Sequence, residues 1–95
     1  MERNIEWFRN EIAPVLLGYE ITYNYFEEGD FGSLNQVEFN SPKLGGNIDF
    51  WGLNWLGVLL WNYEEERELI NVLLEPDEKS SKEKALSDLL NFLKS

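Results

Sequence analysis

Tyr19-Glu20-Ile21-Thr22-Tyr23-Asn24-Tyr25 alternates without a break, with Tyr19, Ile21, Tyr23 and Tyr25 on one side and Glu20, Thr22 and Asn24 on the other. A period of two in a stretch rich in aromatic and β-branched residues is the pattern of a half-buried strand. The stretch decides the fold because the chain after it keeps repeating the same layout. Glu28-Gly29-Asp30-Phe31-Gly32 supplies turn chemistry, and Val37 and Phe39 opposite Gln36 and Glu38 make a second strand. Ser41 to Gly46 reads as a loop, with Gly45-Gly46 there to supply positive φ. Asn47 to Trp51 is a third strand, Gly52-Leu53-Asn54 a turn, and Trp55 to Trp61 a fourth strand. In the fourth, Trp55, Leu59 and Trp61 face one way and Leu56, Val58 and Leu60 the other. A strand apolar on both faces is central or covered twice.

Working outward, the period changes to that of a helix at both ends. Ile5, Phe8, Ile12, Val15 and Leu16 recur at helical spacing, with Asn4 placed to cap the start and Pro14 placed to end or kink the last turn. Trp7 lies beside this stripe and is expected to pack with it. Near the C-terminus, Leu86, Leu89, Leu90 and Leu93 form one apolar face behind a Ser80 to Glu83 capping box. The segment from Tyr63 to Glu75 fits either state. As a helix it has a capping-box-like pair in Asn62 and Glu65, acids in its first turn, the stripe Leu69, Ile70, Leu73 and Leu74, and Pro76 beyond its end. As a strand it would pair with the fourth through a Glu-Glu-Glu turn that has no Gly, Asn or Pro at its tip. Helix is the expectation, with a fifth strand over Leu69 to Leu74 as the alternative.

The fold expected is therefore α+β: a four- to five-stranded, mostly antiparallel sheet with N- and C-terminal helices packed against it. Residues 1–95 are expected to form a single domain, since the length leaves no room for a second core. Leu59 and Leu90 are expected in that core. Hydrophobic residues at 43% and aromatics at 15% can offset the entropy of ordering, so the acidity does not imply disorder. There is no apolar run of the length a membrane-spanning helix needs, and Met1-Glu2-Arg3-Asn4 opens on charges rather than as a signal peptide. The expected location is the cytoplasm, which the absence of cysteine suits.

The net charge of −10 is unevenly spread. Between Glu11 and Glu66, ten acids (Glu11, Glu20, Glu27, Glu28, Asp30, Glu38, Asp49, Glu64, Glu65 and Glu66) face the single cation Lys43, which leaves −9 in that segment. The C-terminal helix carries its own counter-charges. A segregated acidic field repels phosphate backbones and anionic membranes and speeds encounters with cationic partners. Neither nucleic acid nor membrane is therefore an expected partner.

Catalytic motifs are absent. Without His or Cys the familiar nucleophile–base pairs cannot be built, and any metal site would rest on carboxylates alone. Asp30-Phe31-Gly32-Ser33 lacks the spacing of a calcium loop. Glu27, Glu28, Glu38 and Asp49 could serve as paired acids for glycoside hydrolysis, but surface carboxylates in turns and on a polar strand face ordinarily meet only water. No cofactor, metal or catalytic residue is assigned. Trp51, Trp55 and Trp61 belong to one sheet region, where large aromatics ordinarily build core. Three within eleven residues exceed what one helix layer needs, so a partner anchor among them, beside Asp49 and Asn54, is weighed equally.

Gly29-Asp30-Phe31-Gly32-Ser33-Leu34-Asn35-Gln36-Val37-Glu38-Phe39, followed by Gly45-Gly46-Asn47-Ile48-Asp49-Phe50-Trp51, resembles the small bacterial immunity-type proteins that accompany polymorphic or contact-dependent toxins. The wider layout of a Trp-bearing first helix, Trp- and Gly-rich strands and a Leu-rich last helix is similar as well. The resemblance implies a cytoplasmic protein without enzymatic activity that blocks a cognate toxin. It transfers no binding residue one by one. The reading that follows is a non-catalytic, acidic protein-binding module that neutralises a basic partner, a cognate toxin domain on the resemblance. The expected contacts are Glu27, Glu28, Asp30, Asp49, Trp51, Asn54, Trp55, Glu64 and Glu65. A small ligand- or carbohydrate-binding domain using Trp stacking is the alternative, and a carboxylate-based hydrolase ranks behind it.

Overall fold

Helical turns come first in the computed structural model, which describes residues 3–94; Met1 and Glu2 of the charged opening lie outside it. A short α-helix, α1 (Ile5–Trp7), leads into a π-helical turn at Phe8–Ile12 and a 3-10 turn at Ala13–Val15. Five strands follow: β1 (Glu20–Gly29), β2 (Gly32–Asn40), β3 (Leu44–Trp51), β4 (Leu56–Asn62) and β5 (Arg67–Leu74). The chain closes on α2 (Lys79–Lys94). The strands form one sheet in the order β1-β2-β3-β4-β5, every pair antiparallel. The α+β architecture expected from the alternation is the one observed.

Register explains the two faces. Val37 pairs with Ile48 and Ile48 with Val58, so Val37, Phe39, Ile48, Phe50, Leu56, Val58 and Leu60 all point to one side. The helices cover that side with Trp7, Phe8, Ile12 and Leu16 from the N-terminus and Ala85, Leu86, Leu89 and Leu93 from α2, and together these residues form one buried cluster. Asn4 caps α1 as expected, its Oδ1 accepting from Trp7 N–H at 3.0 Å. The π turn, closed by Ala13 N–H donating to the Phe8 carbonyl, advances the helical phase. Leu16 therefore turns to the sheet, whereas Val15, expected in the stripe, is 56% exposed.

Several boundaries differ from expectation for identifiable reasons. Residues 63–75 are not helical: Arg67–Leu74 pairs with β4 from Asn62 to Leu56, with a register shift that leaves Leu69 without a partner. The Asn62–Glu65 signal is real but local, since Asn62 Oδ1 accepts from Glu65 N–H at 3.0 Å and this bond closes a turn instead of starting a helix. Glu66 takes the left-handed conformation, φ 51°, that lets a glycine-free tip reverse the chain. Gly45 and Gly46 lie inside β3 and neither has positive φ; what they supply is missing bulk. A Cβ on Gly45 would collide with Tyr63 Oη and Asn40 Oδ1, which hydrogen-bond across it at 2.5 Å. Trp55 sits before β4, and α2 starts at Lys79, so Ser80 is inside the first turn rather than capping it.

The core assignments of Leu59 and Leu90 also shift, because both are only half-buried. Leu59 points to the face without helices; the fully buried positions are Leu60 and Leu89. Leu60→Ala should therefore cost about 2–5 kcal/mol and Leu59→Ala about 1 kcal/mol. Urea melts of the two variants check the order, and equal midpoints would contradict the face assignment.

Candidate functional site

The face opposite the helices is where the polar residues of the alternating strands meet. Gln36 lies across from Asp49, Glu38 across from Asn47, and Asn24 across from Gln36. Their side chains join into one ladder. Asn24 Nδ2 donates to Glu38 Oε1 at 3.0 Å and to Gln36 Oε1 at 3.3 Å, while Gln36 Nε2 and Asn47 Nδ2 donate to Asp49 Oδ1 at 2.8 and 3.1 Å. Amide donors thus hold the carboxylates of Glu38 and Asp49 in place through one oxygen each. Glu38 Oε2 and Asp49 Oδ2 have no protein donor among the described residues. Gly57 pairs with Asp49 and leaves space beside it, since a Cβ there would lie 3.2 Å from Oδ2. A fixed carboxylate with an unshared oxygen beside a notch can receive an ammonium or guanidinium group.

Apolar side chains frame this ladder. Leu59 stands between Asn47 and Asn71 in the pairing, and Phe26, Trp61 and Leu73 on the same face are 49%, 38% and 52% exposed. No basic side chain interrupts the face. Of all residues in the five strands only Arg67 is basic, and it stands at the far end of β5, bonded to Glu65 at 2.8 Å.

One end of the sheet gathers six of the expected contact residues. Glu27 and Glu28 lie at the end of β1, Asp30 is in the following turn, Trp51 ends β3, and Asn54 and Trp55 belong to the β3–β4 turn. Backbone bonds dock the two turns together: Gly52 N–H donates to the Ser33 carbonyl at 2.6 Å and Leu53 N–H to the Phe31 carbonyl at 3.0 Å. Phe31, which sequence reasoning left among turn residues, fills the junction. Its ring stacks on Trp55 with centroids 4.0 Å apart and meets Trp51 edge-on at 5.2 Å. Trp51 in turn lies against Gly29, where a Cβ would come within 2.6 Å of its ring. Both tryptophans are half-buried.

Asp49 lies on the open face two residues from Trp51, close to this end. Glu64 and Glu65 do not join the group. They occupy the β4–β5 turn at the opposite end, separated by the seven steps of β3 from Leu44 to Trp51, roughly 23 Å at about 3.3 Å per residue. There Glu64 is 3.9 Å from Lys43 and Glu65 pairs with Arg67, so part of their charge is locally offset. The residues missed in the sequence are Asn24, Gln36, Asn47 and Gly57. Alternation placed the first two on a polar face, but their alignment with Asp49 needs the register of three strands.

Two cavities flank α2, and none of Glu27, Glu28, Glu38 or Asp49 lines either of them. Among the described residues, no group of three or more metal-binding side chains occurs and no helix is long and apolar enough to cross a membrane. Compared with protein-family models, curated proteins and solved structures, the chain finds no match.

Proposed function

We propose that this chain is a non-catalytic binding protein that captures a cationic protein on the open face of its sheet. An immunity-type role against a basic bacterial toxin domain is the form of this reading that the sequence resemblance suggests. One observation carries the proposal: the open face offers the fixed carboxylates of Glu38 and Asp49, each with an unshared oxygen, among exposed Phe26, Trp61 and Leu73 and without a basic side chain. Fixed acids amid apolar surface suit a partner that brings Lys or Arg within an apolar rim. Glu27, Glu28 and Asp30 at one end and Glu64 and Glu65 at the other extend the field and act on encounter.

The carbohydrate-binding alternative is less well supported, because Phe31 already occupies one ring face of Trp55 and no pair of coplanar exposed indoles results. A two-carboxylate hydrolase would need its acids converging in a cavity, and the candidate acids lie on the open face and at the end of β1.

Surface plasmon resonance against the captured cationic partner across a salt series tests the reading. Glu27→Lys with Asp30→Lys should slow association about tenfold or more at low salt, and this loss should shrink as screening sets in over about 10 Å at 0.1 M. Glu38→Gln with Asp49→Asn should instead speed dissociation, since those groups make fixed contacts. Association that ignores salt and all four substitutions would leave the acidity as a solubility device only.

A further inference from the structure

A cavity of about 480 Å³ opens where the start of α2, the N-terminal segment and the β3–β4 turn meet. Its size is that of a small-molecule site. Trp51, Trp55 and Leu86 contribute apolar wall, and Arg3, Lys79 and Lys82 stand in it against the single acid Glu83. Three of the eight basic residues thus share one cavity with one of the eighteen acids. Elsewhere the balance runs strongly the other way.

The pairing inside the cavity leaves positive charge uncancelled. Arg3 approaches Glu83 at 3.5 Å and lies over Trp7, 4.9 Å from the ring centre. Lys82 Nζ donates to the carbonyls of Asn54 at 2.5 Å and Pro76 at 3.2 Å, and these neutral acceptors satisfy its protons without cancelling its charge. Lys79 has no carboxylate partner among the described residues. Both lysines stand in the first turn of α2, which contains no acid, where the helix dipole itself is positive. Lysines there oppose the helix unless an anion joins them. Phe31 covers one ring face of Trp55, so the part of Trp55 that lines the cavity is its other side or its edge.

We propose that this cavity binds a small organic anion, a carboxylate carried on a flat ring, with the ring against Trp55 and the carboxylate between Lys79 and Lys82. The lysines supply charge-assisted donors and Trp55 supplies a flat apolar surface. The site is separate from the acidic face and does not depend on the reading of it.

Benzoate is the probe, titrated into the whole protein by calorimetry, with the indole N–H signals followed by NMR. Saturable 1:1 binding with a Kd of about 10 mM or tighter is expected from a ligand of this size. The indole N–H signal of Trp55 should move, and binding should weaken as salt rises. Benzyl alcohol and acetate, which lack the charge and the ring, should each bind about tenfold more weakly. Lys79→Gln, an exposed change, should weaken benzoate about tenfold, the loss expected for one charge-assisted hydrogen bond. Glu38→Gln with Asp49→Asn should leave it unchanged. Absence of saturation, equal binding of benzyl alcohol or acetate, or indifference to Lys79→Gln would each overturn the proposal.

Discussion

Phe39→Ala is expected to lower the unfolding free energy by about 3–5 kcal/mol, the range for deleting a buried aromatic ring. Phe39 has no exposed surface and stands on β2 in the buried cluster between sheet and helices. Its ring meets Tyr19 edge-on at 6.4 Å, so the truncation removes an aromatic pair as well as buried area. Across from it on β3 is Gly46, which has no side chain to swing into the void. The cavity would therefore persist, and persistence is what raises the cost of a large-to-small change. Domains of this size have total stabilities of about 5–15 kcal/mol, so the variant should melt far below wild type. A urea midpoint unchanged within error would show that Phe39 is not held as described.

Gly46→Ala should be comparably damaging for the opposite reason. A Cβ at that position would fall on the carbonyl of Leu59 and lie 3.0 Å from the Cα of Leu60. Both atoms are backbone of the neighbouring strand, so no rotamer change relieves the contact and β3 and β4 must separate. Overpacking of this kind costs about 3 kcal/mol. Gly57→Ala is the matched control. The three atoms nearest its Cβ all belong to the Asp49 side chain, at 3.2 Å or more, which can yield, and Gly→Ala itself restricts the unfolded chain. That variant should be within about 1 kcal/mol of wild type while closing the notch beside Asp49. Thermal melts that rank the two glycines the other way would refute the backbone-clash account.

The same glycines show where reading the sequence reached its limit. Gly45-Gly46 looked like a flexible loop because glycine most often serves positive φ, yet both lie in β3 as places where neighbours pass close. Nothing within a few residues of Gly45 reveals that Tyr63 and Asn40 bond across it. Segment 63–75 failed for a related reason. The Asn62–Glu65 bond is the same local contact whether a helix or a turn follows, and the apolar run fits both periods. What decides it is β4: were Arg67–Leu74 helical, β4 would become an edge with a row of unpaired backbone groups. Pairing satisfies them.

By itself the sequence determined the faces. Side-chain alternation over Tyr19–Tyr25, Gln36–Phe39 and Trp55–Trp61 depends only on backbone geometry between near neighbours, so it announced the strands and which side chains share a face, but not which face of β4 is inner: Leu59, expected in the core, lies on the side without helices. The acidity of the strand region and the leucine stripe of α2 were legible for the same reason, being properties of composition and short spacing. Tertiary structure alone decided which acids act together. Asn24, Gln36, Glu38, Asn47 and Asp49 come from three strands and meet only through register. Glu64 and Glu65, grouped with the other acids by charge, go to the opposite end because an antiparallel meander sends successive turns to alternate ends. The lysines of α2 meet Trp55 only because the helix packs back across the sheet. Local periodicity governs what each segment forms, and long-range pairing governs what its side chains find there.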